Sequence, residues 1–355
     1  MIEREEPYRV IGLMSGTSLD GLDIAACTFE GDNIQKFEIV AANTSKYDSS
    51  FISKLRKAHL MKAEELCLLD AEFAKFCALQ VRSFCELNHF KPDFIASHGH
   101  TVFHQPNHSY TLQIGNPGTI AAISGFIVLG DFRTQDIALG GQGAPLVPIG
   151  DDLLFSNFDA CLNLGGIANI SFQQNQTRIA FDICVLNMAL NHIANREGLE
   201  FDNHGKLAAG GRIEIDLLQK LSDLLYYQEA KPKSLGREWF EAILVPILDE
   251  TNYSSADLLA TLTDHFAQEI NKAIPSGCKS VLITGGGTFN SHFINRLHHY
   301  RPGIWVVPAK ELINFKEALI FAFLGLKRWR GEINCLASVT GASRNHCSGG
   351  IFLAC

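Results

Sequence analysis

The chain is most informative first in what it lacks. It has no GxxxxGK[ST] motif and no GxGxxG opening a helix after a strand, so the P-loop and Rossmann readings lose their main support. None of its ten cysteines forms a CxxC pair, and their scatter reads as buried free thiols of a reducing cytoplasm, not a disulfide framework. No apolar run reaches the ~18 residues of a transmembrane helix. The opening MIEREEPYRV is charged and lacks the apolar core of a signal peptide. An excess of positive charge is also missing. The net charge of -8 argues against a general nucleic-acid binder. There is no low-complexity stretch and no Pro/Ser-rich linker, so two lobes would be joined by tight crossings and not by a tether.

What is present suits a large core. The 355 residues are 46% hydrophobic and 19% charged, a balance that excludes a disordered chain and fits two α/β lobes. Strands are expected at Tyr8–Leu13 and Leu22–Phe29, joined by the polar turn Ser15-Gly16-Thr17-Ser18-Leu19-Asp20-Gly21. Two helices are expected over 53–90, then short strands at Phe94–Ser97 and Ile127–Gly130. The same grammar restarts with strands at Ala160–Leu164, Ile167–Phe172 and Thr177–Phe181, the first two joined by Gly165-Gly166. Helices follow at 186–197, 213–227, 236–249 and 254–274. Val281–Thr284 then runs into Gly285-Gly286-Gly287, a helix at 290–297 and a last helix at Phe315–Lys327. A glycine hairpin opening each half implies a duplicated βββ-type domain. The expected fold is therefore α/β and two-lobed with a central cleft. Residues 1–128 form one lobe and 129–355 the other, with the last helix or tail returning to the first.

Glycines let backbone approach a phosphate closely, and turn N–H groups form an anion nest. Gly16, Gly21, Gly165, Gly166, Gly285, Gly286 and Gly287 are thus candidate phosphate contacts, with Thr17 and Ser18 as hydroxyl donors. Asp20 or Asp23 would hold Mg²⁺ through water. Asp182, at the end of an expected strand beside a phosphate hairpin, is a candidate general base or a helix cap. Arg133 offers a fork for substrate oxygens, or a salt bridge to Asp131 or Asp136. Asp136 and Gln142 share its Gly-rich segment. His98, His100, His104 and His108 cluster without a nearby cysteine, in a spacing that fits no common zinc pattern. His98 is read as a hydrogen-bonding residue of the substrate site.

Seven segments carry a family resemblance. They are MSGTSLDGLD (14–23), SHGHTVFHQP (97–106), DFRTQDIALGGQGAPLVP (131–148), NLGGIANIS (163–171), PKSLGREWF (232–240), ITGGGTFN (283–290) and VTGA (339–342). In order, they resemble the anhydro-N-acetylmuramic acid kinase family. The resemblance implies an actin-like ATPase (ribonuclease H-like) fold and use of ATP and Mg²⁺. It implies hydrolytic opening of 1,6-anhydro-N-acetylmuramic acid with phosphorylation of O6, in peptidoglycan recycling. It gives Asp182 the role of catalytic aspartate, places Glu317 near the sugar, and implies a cytoplasmic homodimer. The family's Gly/Pro-rich turn after that aspartate, roughly TGPGN, is Ile183-Cys184-Val185-Leu186-Asn187 here. A kinase for another sugar, or a nucleotide-binding sensor or chaperone-like regulator, would share the fold and the glycine hairpins.

Overall fold

The computed structural model describes residues 6–16, 19–31, 34, 36–231 and 233–354. Its strands are β1 (Tyr8–Ser15), β2 (Leu22–Glu30), β3 (Lys36–Ser45), β4 (Phe94–Gln105), β5 (Tyr110–Ile114), β6 (Val128–Gly130), β7 (Ala160–Leu164), β8 (Ile167–Gln174), β9 (Thr177–Val185), β10 (Val281–Thr284), β11 (Trp305–Val306) and β12 (Gly350–Phe352). They form two sheets in two compact units. The first unit runs through Leu154 and resumes at Phe315; the second is Phe155–Asn314. The first unit thus extends past the expected change at 128, because helix Pro148–Leu154 belongs to it. Ile320, in the returning segment, packs where a Cβ on Gly150 would lie.

In the first unit the sheet order is β12-β6-β4-β1-β2-β3, with β5 paired to β4. β1, β2 and β3 pair antiparallel in succession, while β4 is parallel to β1 and β6 parallel to β4. The second sheet has the order β11-β10-β7-β8-β9. There β7, β8 and β9 are antiparallel in succession, β10 is parallel to β7, and β11 to β10. Reading outward from β3 and from β9, both sheets follow one plan: three meandering strands, then two parallel ones. This is the duplication expected from the two glycine hairpins, and it is the ribonuclease H-like plan of actin-type ATPases.

Each unit has its own core. In the first, Ile11, Leu13, Ile24 and Ile95 pack with Phe73, Ala74 and Val81 of helix Ala63–Leu87. Residues 318–324 of helix Lys310–Trp329 are all buried, as expected of a helix apolar on every side. Its fit against β1 is close: a Cβ on Gly12 would lie 1.9 Å from the Ala318 carbonyl oxygen. In the second unit Leu162, Leu164, Ile170 and Val185 pack with Leu258, Leu262 and Phe266 of helix Ser255–Ala273.

Several expected elements differ in length. β4 continues to Gln105 where a strand ending at Ser97 was expected, pairing with β5 beyond the positive-φ Gly99. β9 continues to Val185, not Phe181, because Ile183, Cys184 and Val185 are apolar and buried and so extend it. β3, an edge strand with Phe37 and Ile39 half-buried between exposed Lys36, Glu38 and Val40, has no counterpart in the sequence reading.

Candidate functional site

The second unit presents Asp182 within β9, not at its end. The β8–β9 register shifts between Ala168 and Asn169, which pair with Cys184 and Asp182, so Ile183 is the extra residue of a bulge. Bulges re-aim side chains. Three contacts fasten the bulged segment. The Asp182 N–H donates to the Lys233 carbonyl (3.0 Å), the Tyr226 hydroxyl donates to the Asp182 carbonyl (2.7 Å), and the Leu235 N–H donates to Asp182 Oδ2 (2.9 Å). Oδ1 has no hydrogen-bond donor among the described residues. The helix-cap alternative for Asp182 fails: helix Asn187–Arg196 is preceded by Leu186 and has no side-chain cap. Desolvation raises the Asp182 pKa above the ordinary carboxylate value, and the Leu235 N–H opposes it. Tyr226 and Leu235 were not singled out from sequence, although Leu235 lies in the PKSLGREWF segment.

The glycines of this unit converge. β7 and β10 are parallel neighbours, with Asn163 opposite Thr284, so Gly165-Gly166 and Gly285-Gly286-Gly287 leave the carboxyl ends of adjacent strands. In open α/β sheets such ends are where ligands bind. Gly285 has φ +85°, and a Cβ there would lie 2.5 Å from Asn163 Oδ1. A Cβ on Gly287 would lie 3.0 Å from the Leu164 carbonyl oxygen, whereas one on Gly286 would meet nothing within 4 Å. The divergent segment completes the cradle. Leu186 and Met188 N–H groups donate to the Gly166 carbonyl, and the Asn187 side-chain amide donates to the Leu164 carbonyl (3.0 Å). Asn187, retained from the family turn, thus ties the hairpin to the helix.

In the first unit, β1 and β2 pair as far as Ser15 and Leu22, and their bend carries Gly16, Asp20 and Gly21. Thr17 and Ser18 lie outside the described residues. Gly16 and Leu19 close a turn, with the Leu19 N–H donating to the Gly16 carbonyl at 3.4 Å. Gly21 is packed tightly, since a Cβ would lie 2.7 Å from the Ser45 carbonyl oxygen. Asp20 is exposed; Asp23 is half-buried and accepts the Thr44 hydroxyl at 2.6 Å. Burial raises the Asp23 pKa to about 6; Thr44 opposes the shift, and the charges of Asp20 and Glu317 add to it. Glu317 is open to solvent yet closely surrounded by protein, which raises its own pKa against the pull of Arg133 and Lys316. The charges of Asp20 and Glu317 acting on Asp23 suit a hydrated divalent cation, because a cation removes that repulsion. Among the described residues the three do not converge tightly enough to ligate one ion directly, so contact through water fits better.

His98 lies inside β4, not in a turn after it. Its Nδ1 faces the Gly99 carbonyl (2.9 Å), and its Nε2 accepts from Arg133 Nε (3.0 Å) and Nη2 (2.8 Å). The ring is therefore the neutral Nδ1–H tautomer, and burial followed by the Arg133 charge holds its pKa well below the usual value. Phe321 packs on it with ring centroids 4.6 Å apart. Arg133 donates its remaining described bond to the Gly143 carbonyl (2.6 Å), so its fork holds neither Asp131 nor Asp136. Asp136 lies on helix Thr134–Ala138, beside the Gly140–Gly143 loop. It is wholly buried, with Oδ2 accepting the Gly143 N–H (2.7 Å) and Oδ1 the Thr340 hydroxyl (2.7 Å). It shapes the glycine loop without reaching solute. Gln142 is exposed on that loop, its N–H held by the Thr340 carbonyl at 2.7 Å. A chain not foreseen from sequence runs from the Tyr47 hydroxyl to Ser15 Oγ (2.8 Å) and on to His100 Nδ1 (3.0 Å).

Two sheets of one plan, each with glycine bends at the carboxyl ends of its parallel strands, give the chain the fold of the actin-like ATPase superfamily. Residues 8–354 match the family described as "Anhydro-N-acetylmuramic acid kinase". Curated relatives of that name from Shewanella putrefaciens (strain CN-32) and Shewanella pealeana are 37% and 36% identical, each alignment covering 97% of this chain and 98% of the relative. The chain belongs to the anhydro-N-acetylmuramic acid kinase family. Among solved structures, component A of the (R)-2-hydroxyglutaryl-CoA dehydratase of Acidaminococcus fermentans is similar at a TM-score of 0.46 and 14% identity, over 89% of this chain and 96% of that one. No helix among the described residues is long and apolar enough to cross a membrane.

Proposed function

We propose that the protein opens 1,6-anhydro-N-acetylmuramic acid with water and phosphorylates O6 from ATP, giving N-acetylmuramic acid 6-phosphate and ADP. Water attacks C1, the C1–O6 bond breaks, and O6 takes the γ-phosphoryl group. The proton released by water passes to Asp182. Because the phosphoryl group captures the departing O6, one carboxylate suffices where an ordinary glycosidase uses two.

The observation that carries this reading is the Asp182 carboxylate. It is half-buried, oriented through Oδ2 by the Leu235 N–H, and keeps Oδ1 without a donor among the described residues. A base needs that combination of fixed direction, raised pKa and one open oxygen. Gly16, Gly21, Gly165, Gly166 and Gly285–Gly287 are assigned to the nucleotide, and His98, Arg133, Gln142 and Glu317 to the sugar. Asp136 positions the Gly140–Gly143 loop whose carbonyl anchors Arg133. Asp20, with Asp23 and Glu317, would hold Mg²⁺ through water, and the ion would supply charge neutralisation for the triphosphate. The compartment assigned is the cytoplasm, where the sugar is recycled.

Mass spectrometry of the product after incubation with ATP, Mg²⁺ and the anhydro sugar tests the reading. The expected product is the ring-opened 6-phosphosugar, with no phosphorylation across a panel of free hexoses. ADP release stimulated by a free hexose but not by the anhydro sugar would overturn it.

A further inference from the structure

Asp136, besides positioning the Gly140–Gly143 loop, meets two residues outside the proposed chemistry, Cys335 and His346. The ligand atoms of the three lie within 4.8 Å of one another. Cys335 and His346 face each other across an isolated antiparallel bridge, held by N–H···O bonds of 3.1 and 3.2 Å. Asp136 comes from helix Thr134–Ala138, about 200 positions away in sequence. Asp136 and Cys335 are 0% and 2% exposed, and the His346 side chain is nine-tenths buried.

The histidine geometry is telling. Its Nδ1 faces the Arg344 carbonyl at 3.3 Å, which fixes the proton on Nδ1. Nε2 is then a bare lone pair. It is buried without a hydrogen-bond partner and aimed at Asp136 Oδ1, 3.7 Å away. In the neutral ring that lone pair faces a carboxylate, which is unfavourable unless a proton or a metal cation lies between them. Metal-binding histidines characteristically give their other ring N–H to a carbonyl, and metal-binding carboxylates are held by further hydrogen bonds. Both features are present: Arg344 O serves His346, while Thr340 and Gly143 serve Asp136. Tetrahedral bonds of zinc length place a nitrogen and an oxygen ligand about 3.3–3.5 Å apart, so the 3.7 Å between Nε2 and Oδ1 needs only a small inward shift.

We propose that Asp136, Cys335 and His346 supply three ligands of a zinc site, with water in the fourth position. A thiolate, an imidazole and a carboxylate form the mixed donor set that a borderline-soft d¹⁰ ion takes. The ion would clamp the segment around Cys335 and His346 to helix Thr134–Ala138, and through Asp136 to the loop that ends in Gly143. It displaces the thiol proton of Cys335, so binding strengthens as pH rises.

The test uses the full chain, stripped of metal and titrated with Zn²⁺ alone against a chromophoric chelator, then with Co²⁺. One equivalent should bind, raise the melting temperature, and with Co²⁺ give thiolate-to-cobalt charge-transfer absorption. Cys335→Ser should abolish that band and His346→Gln should weaken binding at least about tenfold. An absence of saturable one-equivalent binding in the wild type, showing an Asp136–His346 ion pair only, would overturn the proposal. So would a cobalt–thiolate band that survives in Cys335→Ser.

Discussion

Asp23 illustrates how a single side chain can be kept at a cost. Its pKa of about 6 lies above the unfolded value near 3.8, so the native state binds its proton more tightly. Stability therefore falls as pH rises from about 4 to 6, and the deficit is fully present at neutral pH. Asp23→Asn keeps an acceptor for Thr44 and removes the charge. Denaturant unfolding of the ligand-free variant at pH 8 should show a gain of about 1–2 kcal/mol that vanishes near pH 4. For Asp182 the sign concerns activity. A base with a raised pKa is lost to protonation sooner, so kcat/KM should fall on acidification at a pH above the ordinary carboxylate value. A pH–rate profile flat down to pH 4 would remove the assignment. Asp182, Arg133 and the glycines stand out in the sequence because motifs and strand ends carry them, and Glu317 through the family resemblance. The true surroundings of Asp136 were not, because Thr340 and Gly143 meet it only after folding.

At the scale of elements, glycine conformation and strand packing combine at the Gly285 bend. An added Cβ there faces two penalties, the left-handed backbone and the 2.5 Å approach to Asn163 Oδ1. Gly285→Ala should destabilise the protein by about 2–4 kcal/mol, read as a lower denaturation midpoint, and weaken nucleotide binding by calorimetry. The open neighbour Gly286, substituted by Ala, should show little loss of stability. Sequence identified the strands that are buried or flanked by glycine, such as β7 and β10, with their observed ends. It missed β3 because Lys36, Glu38 and Asn43 among its outward positions are charged or polar, as edge strands need, although Phe37, Ile39 and Ala41 alternate. It ended β9 too early because residues 183–186, standing where the family has a turn, were read as a turn. Instead Ile183–Val185 bury as strand, each buried aliphatic side chain contributing about 1.5–3 kcal/mol.

Over the whole molecule, buried neutral histidines set the response to acid. Burial lowers His100 to about 4 and His265 to about 3, and lowers His98 well below its ordinary value. Depressed histidine pKa values mean that the unfolded chain binds more protons between about pH 6.5 and 4, so stability falls with acidification across that window. This outweighs the opposite trend of Asp23, since three histidines oppose it with larger shifts. Urea unfolding at pH 7, 5.5 and 4.5 should show a loss of several kcal/mol, and His265→Gln should flatten the slope. The duplicated plan was legible as two glycine hairpins, while the unit boundary was not, because residues 315–354 rejoin the first unit by packing that no local pattern announces. The account rests finally on one carboxylate activating water. Coupled measurement of ADP release by Asp182→Asn, with ATP, Mg²⁺ and the anhydro sugar, is its most direct test. Turnover should drop by about 10²–10⁴-fold while calorimetry shows nucleotide binding unchanged. Turnover within a few-fold of the wild type would show that another group is the base.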